Sequence, residues 1–499
     1  MLKLLLRGSA LQFVAFLIDI ATAFVLMPFL IHVLGDQGYG AWAIIGTIIG
    51  NVTLLDFGLS STTQRFIANA LGRKQNDEVA SIYTTSIIMF SIFGLVAMLI
   101  ILAVLPFCDY WFSDAGHAHE FQWALAIAGL NLAIGLPFSA LGGSLLAKLR
   151  SDVLVANKIF ETLLRFGLTY LAVANGYGIV GIASVMLATA LIGRVTGGVI
   201  KRFVAPEIAF RPHLASWDRA RELFHFGKYV FFIRLGDAAR YRIDNFIIAP
   251  FLGFAAVTHY SVAVRLSDYF QSLVLNTIAL PGPIFAQHAG RKETQHIRQK
   301  FLLVSEVCAA ICGTAAGGIV LFGKKFIILW LGAAFIDSYY ALLPLTAGMF
   351  LMLMQAPSRD VLGAIYKHPF DAKTNAVEAV VNVILTVIFV QRYGIIGAAW
   401  GTAIPIIFTK GLLLPAYVCR QIGVPLMQYV HAVGRPLAAI AAVVLAGYMI
   451  DVTAYMENLP LMVAAGAVYS VLAIGAAFFS FSATCRDLLI SAIKSTHAG

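Results

Sequence analysis

Long apolar stretches recur along the whole chain, and short connections containing glycine, proline or charge separate them. Ser86–Phe107, Leu437–Ile450 and Leu461–Phe481 are clear examples of such stretches. Because about 20 residues of α-helix cross the hydrocarbon core of a bilayer, stretches of this length predict membrane-spanning helices. The pattern predicts fourteen spans, near residues 9–34, 40–67, 79–107, 121–147, 154–174, 178–203, 225–251, 255–286, 299–322, 339–366, 372–391, 394–419, 431–451 and 459–481.

The composition excludes a soluble globular protein. Of the 499 residues, 60% are hydrophobic and only 12% are charged, whereas a soluble domain carries about 25% charged residues. The five cysteines show no zinc or redox spacing, and Cys308 and Cys312 are interpreted as small packing residues on one helical face. We therefore expect neither a metal site nor a cofactor.

The distribution of charge predicts the orientation in the membrane. A net charge of +10 could indicate nucleic-acid binding in a soluble protein. Here the cations lie mostly in alternate connections between spans, so no nucleic-acid partner is expected. Because cytoplasmic connections are enriched in Lys and Arg, both termini are predicted to be cytoplasmic, although Lys324 and Lys325 fall in an opposite connection. Arg211–Leu223 is predicted to be a short amphipathic helix on the cytoplasmic surface.

An internal repeat divides the first twelve spans into two sets of six. Corresponding residues are separated by offsets of 216–218, which pair Asp19 with Asp237, Gly35 with Gly253, Gly178 with Gly394, and Arg194 with Lys410. Because six is an even number, both sets enter the membrane from the same side. The two lobes are therefore predicted to be parallel, an arrangement that suits alternating access around a site near the bilayer midplane.

The predicted fold is all-α, with two parallel six-helix lobes around a central cavity and a C-terminal helical hairpin. The predicted domains are an N-terminal lobe at 1–207, a cytoplasmic linker at 208–224, a C-terminal lobe at 225–424, and the hairpin with a cytoplasmic tail at 425–499.

The predicted seventh span carries the most ionisable residues, namely Arg234, Asp237, Arg240, Arg242 and Asp244. An ionisable group at bilayer depth costs several kcal/mol unless it faces a cavity or a partner. Four of the five lie within an arc about 120° wide when placed on a helix, which favours a cavity-facing surface. The alternative is pairing of Arg240 with the two acids, but this would leave Arg234 or Arg242 short of a partner.

The cavity hypothesis assigns two groups of candidate residues. The substrate-binding cations are Arg234, Arg240, Arg242, Arg265, Arg194 and Lys410. The candidates for coupling to a proton or sodium ion are Asp19, Asp56, Asp237 and Asp244. Because guanidinium binds a diphosphate bidentately and keeps its charge, the cations suit an anionic lipid headgroup. For Asp56 a packing role remains an open alternative, and Glu161 with Arg165 is interpreted as a structural pair.

Three segments of the sequence form a recognisable pattern. They are Leu34-Gly35-Asp36-Gln37-Gly38-Tyr39-Gly40-Ala41-Trp42, the following Leu54–Leu59 with Arg65, and Tyr260–Leu266. These segments resemble oligosaccharide flippases of the polysaccharide-transport branch of the multidrug/oligosaccharidyl-lipid/polysaccharide exporter superfamily. The resemblance covers essentially the whole chain. It implies translocation of an undecaprenyl-diphosphate-linked oligosaccharide across a bacterial inner membrane for polysaccharide biosynthesis, without enzymatic catalysis. It also implies contact with membrane lipids and loose association with polysaccharide polymerase and export proteins.

Three other functions remain as alternatives. A drug or cation exporter of the same superfamily would favour carboxylates and aromatic residues over cations. A membrane polymerase or glycosyltransferase would need a substantial extramembrane loop, but the longest predicted outer connections are only Cys108–Glu120 and Gly323–Ser338. The sequence also lacks a phosphate-binding loop and a nucleophile motif. A lipid scramblase would need no ion coupling.

Overall fold

The computed structural model describes residues 2–108, 118–148, 150–227, 231, 243–277, 282–291, 293–367 and 369–497. Helices dominate these residues, and none of them forms a β-strand. The predicted all-helical class is therefore confirmed. The chain divides into two compact units, Met1–Thr258 and His259–Gly499, which are described in turn.

The first unit is a bundle with a continuous apolar core. Its helices are α1 (Leu2–Val52), α2 (Leu59–Gly72), α3 (Asn76–Val104), α4 (Ala118–Ala147), α5 (Ser151–Ala174), α6 (Gly178–Val204), α7 (217–227) and the beginning of α8 (Asp244–Thr277). Buried Leu59, Ile82, Phe90 and Leu136 bring α2, α3 and α4 together. At Gly94 a Cβ atom would lie 2.4 Å from the carbonyl oxygen of Ala133. The lack of a side chain there therefore permits close approach of α3 and α4.

The second unit contains the remaining helices. They are α9 (Gly282–Gly290), α10 (Thr294–Leu331), α11 (Ile336–Met354), α12 (Ala356–Ala364), α13 (Pro369–Phe408), a π-helical turn (Thr409–Leu413), α14 (Leu414–Ile422), α15 (Leu426–Met449), α16 (Leu459–Ser480) and α17 (Ala483–His497). The α15–α16 hairpin packs on α10, where the Tyr469 hydroxyl lies beside Gly317 and donates to the Thr314 carbonyl oxygen at 3.0 Å.

Ten helical stretches of the described residues are long and apolar enough to cross a membrane. Two of them, Leu11–Gly72 with 62 residues and Pro369–Ile422 with 54 residues, are long enough to contain two crossings each. Helix α5 covers the predicted span 154–174 but is not one of the ten. Much of the predicted span 225–251 lies outside the described residues. The protein is thus a multi-pass membrane protein, while the count of fourteen spans stays a prediction.

Glycine residues break the long helices at positions that the repeat relates. Gly35 interrupts α1 with φ 69° and ψ 172°, and Gly253 interrupts α8 with φ 79° and ψ 177°. Gly178 at the start of α6 and Gly394 inside α13 have φ values of 56° and 59°. Only glycine adopts such positive φ values without strain. The internal repeat is therefore visible in the backbone as well as in the sequence.

The segment between α6 and α8 packs against the beginning of α3. The predicted orientation places this end of α3 on the cytoplasmic side. The Arg219 guanidinium donates to Glu78 at 2.6 Å, and the Ser81 hydroxyl donates to the Leu214 carbonyl oxygen at 2.8 Å. Near the start of the segment, burial alone would raise the pKa of Glu207. The hydrogen bond and charge of Lys148, a backbone hydrogen bond and the charge of Lys201 together outweigh burial and hold the Glu207 pKa below its ordinary value. Charged contacts and hydrogen bonds thus hold this segment against its neighbours in the first unit.

Candidate functional site

Four of the predicted site residues cannot be placed. Arg234, Asp237, Arg240 and Arg242 lie outside the described residues. The assignment of these residues to a cavity-facing surface therefore stays a prediction. The other six predicted residues, namely Asp19, Asp56, Asp244, Arg194, Arg265 and Lys410, are described.

Asp19 forms an ion pair within the first unit. The Lys158 ammonium of α5 lies 2.5 Å from Asp19 Oδ2, and the Thr162 hydroxyl donates to Asp19 Oδ1 at 3.3 Å. Lys158 lies in the second turn of α5. The pair gives Asp19 a cation from a neighbouring helix, which lowers the cost of a carboxylate at this depth.

Asp56 lies at the turn between α1 and α2 and caps the second helix. Its Oδ1 atom accepts hydrogen bonds from the Ser60 backbone N–H at 3.2 Å and from the Ser60 hydroxyl at 2.9 Å. Phe57 and Gly58, which follow, have φ values of 46° and 66°. A carboxylate at a helix N-terminus satisfies otherwise unpaired N–H groups. This geometry favours the structural alternative for Asp56 over ion coupling.

Arg194 lines a pocket between α4, α5 and α6, here named the Arg194 pocket. The pocket has a volume of about 210 Å³ and is lined by Phe138, Leu141, Gly142, Leu145, Val153, Leu154, Asn157, Glu161, Ala190, Gly193, Arg194 and Gly197. Arg194 Nη2 donates to the carbonyl and side-chain oxygens of Asn131 at 2.9 and 2.7 Å. Glu161 lies 4.0 Å from Arg165 on its own helix, as the sequence predicted. The pocket therefore presents a guanidinium and a carboxylate inside the helical bundle.

Lys410 is fully buried in the second unit and is surrounded by oxygen atoms. Its ammonium donates to Asp371 Oδ1 and Asn375 Oδ1, both at 2.7 Å, and lies 3.3 Å from Glu378 Oε1. Thr409 also donates to Glu378. These five residues are named the Lys410 cluster. Because two carboxylates face one ammonium, Lys410 is already neutralised within the protein.

Arg265 and Asp244 lie on α8. Arg265 is exposed, whereas Asp244 is buried at the start of the helix. The neighbouring Asn245 side chain donates to Thr47 Oγ1 at 2.9 Å. Among the described residues, the structure thus brings Asp19 and Arg194 into one bundle, but each of them has its own partner side chains.

The two repeat-related breaks in the first unit lie close together. The Thr258 hydroxyl of α8 donates to the Asp36 carbonyl oxygen at 2.5 Å. At Gly40 a Cβ atom would lie only 2.0 Å from the Phe254 carbonyl oxygen. The second half of α1 and the segment of α8 after Gly253 therefore meet backbone to backbone, and only glycine at position 40 permits this.

No group of three or more His, Cys, Asp or Glu residues that could hold a metal ion occurs within the part of the chain that the structure describes. The five cysteines are free and buried, and Cys308 and Cys312 pack in α10.

The fold and these intramembrane charges define a multi-pass helical transporter architecture. The family model described as "Polysaccharide biosynthesis protein" matches residues 29–340, and the chain belongs to this family. The "Probable low-salt glycan biosynthesis flippase Agl15" of Haloferax volcanii is 25% identical over 406 residues, which cover 80% of each chain. The family resemblance predicted from the sequence is confirmed.

Two solved structures share the fold. "Lipid II flippase MurJ, inward closed conformation" has a TM-score of 0.66 at 13% identity, and covers 97% of this chain and 99% of that structure. An inward-facing multidrug resistance MATE family transporter of the MOP superfamily has a TM-score of 0.67 at 17% identity, and covers 81% of this chain and 94% of that structure. At these identities the likeness establishes the fold.

Proposed function

We infer that this protein is a flippase that moves an undecaprenyl-diphosphate-linked oligosaccharide from the cytoplasmic to the outer leaflet of a bacterial inner membrane. The family match over residues 29–340 carries this inference. The glycan flippase name of the Haloferax relative supports a lipid-linked glycan as the substrate class. A membrane fold shared with a lipid II flippase over 97% of the chain supports transport over enzymatic catalysis.

The substrate chemistry matches the predicted cations. A lipid diphosphate carries negative charge into the bilayer together with hydrated sugars, and guanidinium groups reduce the cost of this transfer. We assign this role to Arg234, Arg240, Arg242 and Arg265, on the C-terminal side of the repeat. Lys410 is a weaker candidate because Asp371 and Glu378 already neutralise it.

Alternating access is the proposed mechanism. With the termini in the cytoplasm, the break at Gly35 lies at the outer end of the first span. The contact of Gly40 with Phe254 would then close the outer side of the protein, and release of the substrate would require that contact to open. Coupling to a proton or sodium ion at Asp19, Asp237 or Asp244, and loose association with polymerase and export proteins, belong to the same proposal.

Deletion of the gene, followed by extraction of lipids, tests the function. A flippase defect would cause an undecaprenyl-diphosphate oligosaccharide to accumulate, and complementation with the wild-type gene would clear it. Analysis of the accumulated sugars would identify the glycan. Unchanged lipid pools together with increased drug sensitivity would contradict the proposal and favour a drug exporter.

A further inference from the structure

Arg194, which lines the pocket, has a hydrogen-bond donor that the protein does not use. Arg194 Nη2 is held by Asn131, but Nη1 is buried and donates to no acceptor among the residues that the structure describes. A buried polar group without a partner is unfavourable, and more so when the group is charged. Arg194 also lines the space of about 210 Å³, so a molecule in the pocket that supplies acceptors would lie beside this side chain.

The Lys410 cluster provides an internal comparison. Arg194 and Lys410 correspond in the repeat, and both have an asparagine and a glutamate from the preceding predicted span nearby. In the cluster the ammonium has three oxygen atoms within 3.3 Å. In the pocket Asn157 instead donates to the Gly193 carbonyl oxygen at 2.9 Å. In the second unit, oxygen atoms of the protein thus surround Lys410. In the first unit, an open pocket lies beside Arg194.

The charges of the pocket select the kind of molecule. Arg194 and Glu161 both line the pocket, so an ion of either sign would meet one side chain of its own charge. A neutral group with hydroxyls can donate to the carboxylate and accept from the guanidinium at the same time. Phe138 and Leu141 supply apolar surface for the carbon-bound hydrogens of such a molecule.

The size of the pocket suits a single ring. Pockets for drug-sized ligands have volumes of about 300–1,000 Å³, which exceed the volume here. A single pyranose ring combines this size with hydroxyls that both donate and accept. We propose that the Arg194 pocket binds one monosaccharide unit of the transported glycan, an inference that rests on the proposed function because that function supplies the glycan.

Gly142 permits a direct test of the pocket. It lines the pocket, and a Cβ atom at this position meets nothing within 4 Å. A Gly142→Leu side chain can therefore enter the cavity without displacing the backbone. Gly198→Leu is the matched control, because a Cβ atom there also meets nothing within 4 Å and Gly198 does not line the pocket. Glu161→Gln removes the carboxylate and keeps its shape.

Two probes separate recognition of sugar from recognition of diphosphate. Purified full-length protein in lipid nanodiscs is titrated with undecaprenyl diphosphate bearing one N-acetylglucosamine, and with undecaprenyl diphosphate alone. We expect the wild type and Gly198→Leu to bind the sugar-bearing probe more tightly. We expect Gly142→Leu and Glu161→Gln to weaken that binding about tenfold, which corresponds to about 1.4 kcal/mol, and to leave binding of the bare diphosphate unchanged.

Unchanged affinity for the sugar-bearing probe in both pocket variants would overturn the inference, as would an equal loss for both probes. A parallel translocation assay in proteoliposomes separates this result from the proposed function. If the wild type moves both lipids and the pocket variants show no selective loss, the sugar site fails and the flippase stands. If the wild type moves neither lipid but keeps a pocket-dependent preference for the sugar, the flippase fails and the sugar site stands.

Discussion

At the scale of single residues, Lys410 illustrates how the protein keeps a cation inside an apolar bundle. The side chain is 1% exposed, and the carboxylates of Asp371 and Glu378 with the amide oxygen of Asn375 surround it. Removing one member of a buried ion pair costs about 3–5 kcal/mol, because the remaining charge loses both water and partner. Lys410 is therefore expected to contribute to stability.

Lys410→Met should lower the free energy of unfolding by about 3–5 kcal/mol, because it leaves the buried carboxylate of Glu378 and the partly buried carboxylate of Asp371 without a cation. Chemical denaturation of the purified protein in detergent micelles measures this change. Arg420→Met is the control, since Arg420 is exposed on α14 and should change stability by only about 0.5 kcal/mol or less. Combining Lys410→Met with Glu378→Gln should recover part of the loss. Equal stability of Lys410→Met and the wild type would contradict this role.

The sequence could locate these charges, but it could pair only those that lie on the same helix. Hydropathy placed Lys410, Glu378 and Asp19 inside spans, and helical spacing paired Glu161 with Arg165 correctly. The partner of Asp19 comes from α5, more than a hundred residues away. Such pairs depend on the rotation and depth of separate helices, which local spacing does not specify.

At the scale of the helices, glycine determines where long segments bend and where they touch. The repeat predicted that Gly35 and Gly253 are equivalent, and both have nearly the same φ and ψ. The sequence did not predict that Gly40 would lie against the Phe254 carbonyl oxygen. Local sequence can specify a break, because the break is a property of one residue. A contact between two helices also depends on the packing of all the others.

Gly40→Val should separate α1 from α8, because its Cβ would overlap the Phe254 carbonyl oxygen. A cysteine pair at Thr47 and Asn245, whose side chains are hydrogen-bonded at 2.9 Å, reports on this contact. Oxidation should cross-link the pair in the parent protein and much less in the Gly40→Val background. Gly46→Val is the control, because Gly46 lies on the same helix and a Cβ atom at this position meets nothing within 4 Å. The cysteine pair should therefore still cross-link in the Gly46→Val background. Equal cross-linking in the parent and in the Gly40→Val background would contradict a backbone contact that requires glycine at position 40.

At the scale of the whole molecule, the distribution of partnered charges directs attention to the predicted seventh span. In the first unit Asp19 pairs with Lys158, and in the second unit Lys410 pairs with Asp371 and Glu378. Charges that neutralise each other contribute little attraction for a diphosphate. The N-terminal residues that correspond to Arg234 and Arg242 are Phe16 and Phe24. The attraction for a lipid diphosphate is therefore expected from the C-terminal copy of the repeat.

Charge reversal tests this expectation on the intact protein. Arg234→Glu or Arg242→Glu should abolish glycan export, because each would replace the proposed attraction for the diphosphate with a repulsion. Arg234→Lys and Arg242→Lys keep the charge but lose bidentate binding, and should retain partial export. Glycan at the cell surface measures transport, and the amount of protein in the membrane fraction measures insertion. Arg420→Glu, at an exposed position, is the control for added negative charge. Normal export by both reversal variants, at normal protein levels, would rule out a diphosphate site built from these arginines and would leave Arg265 as the cation to test next.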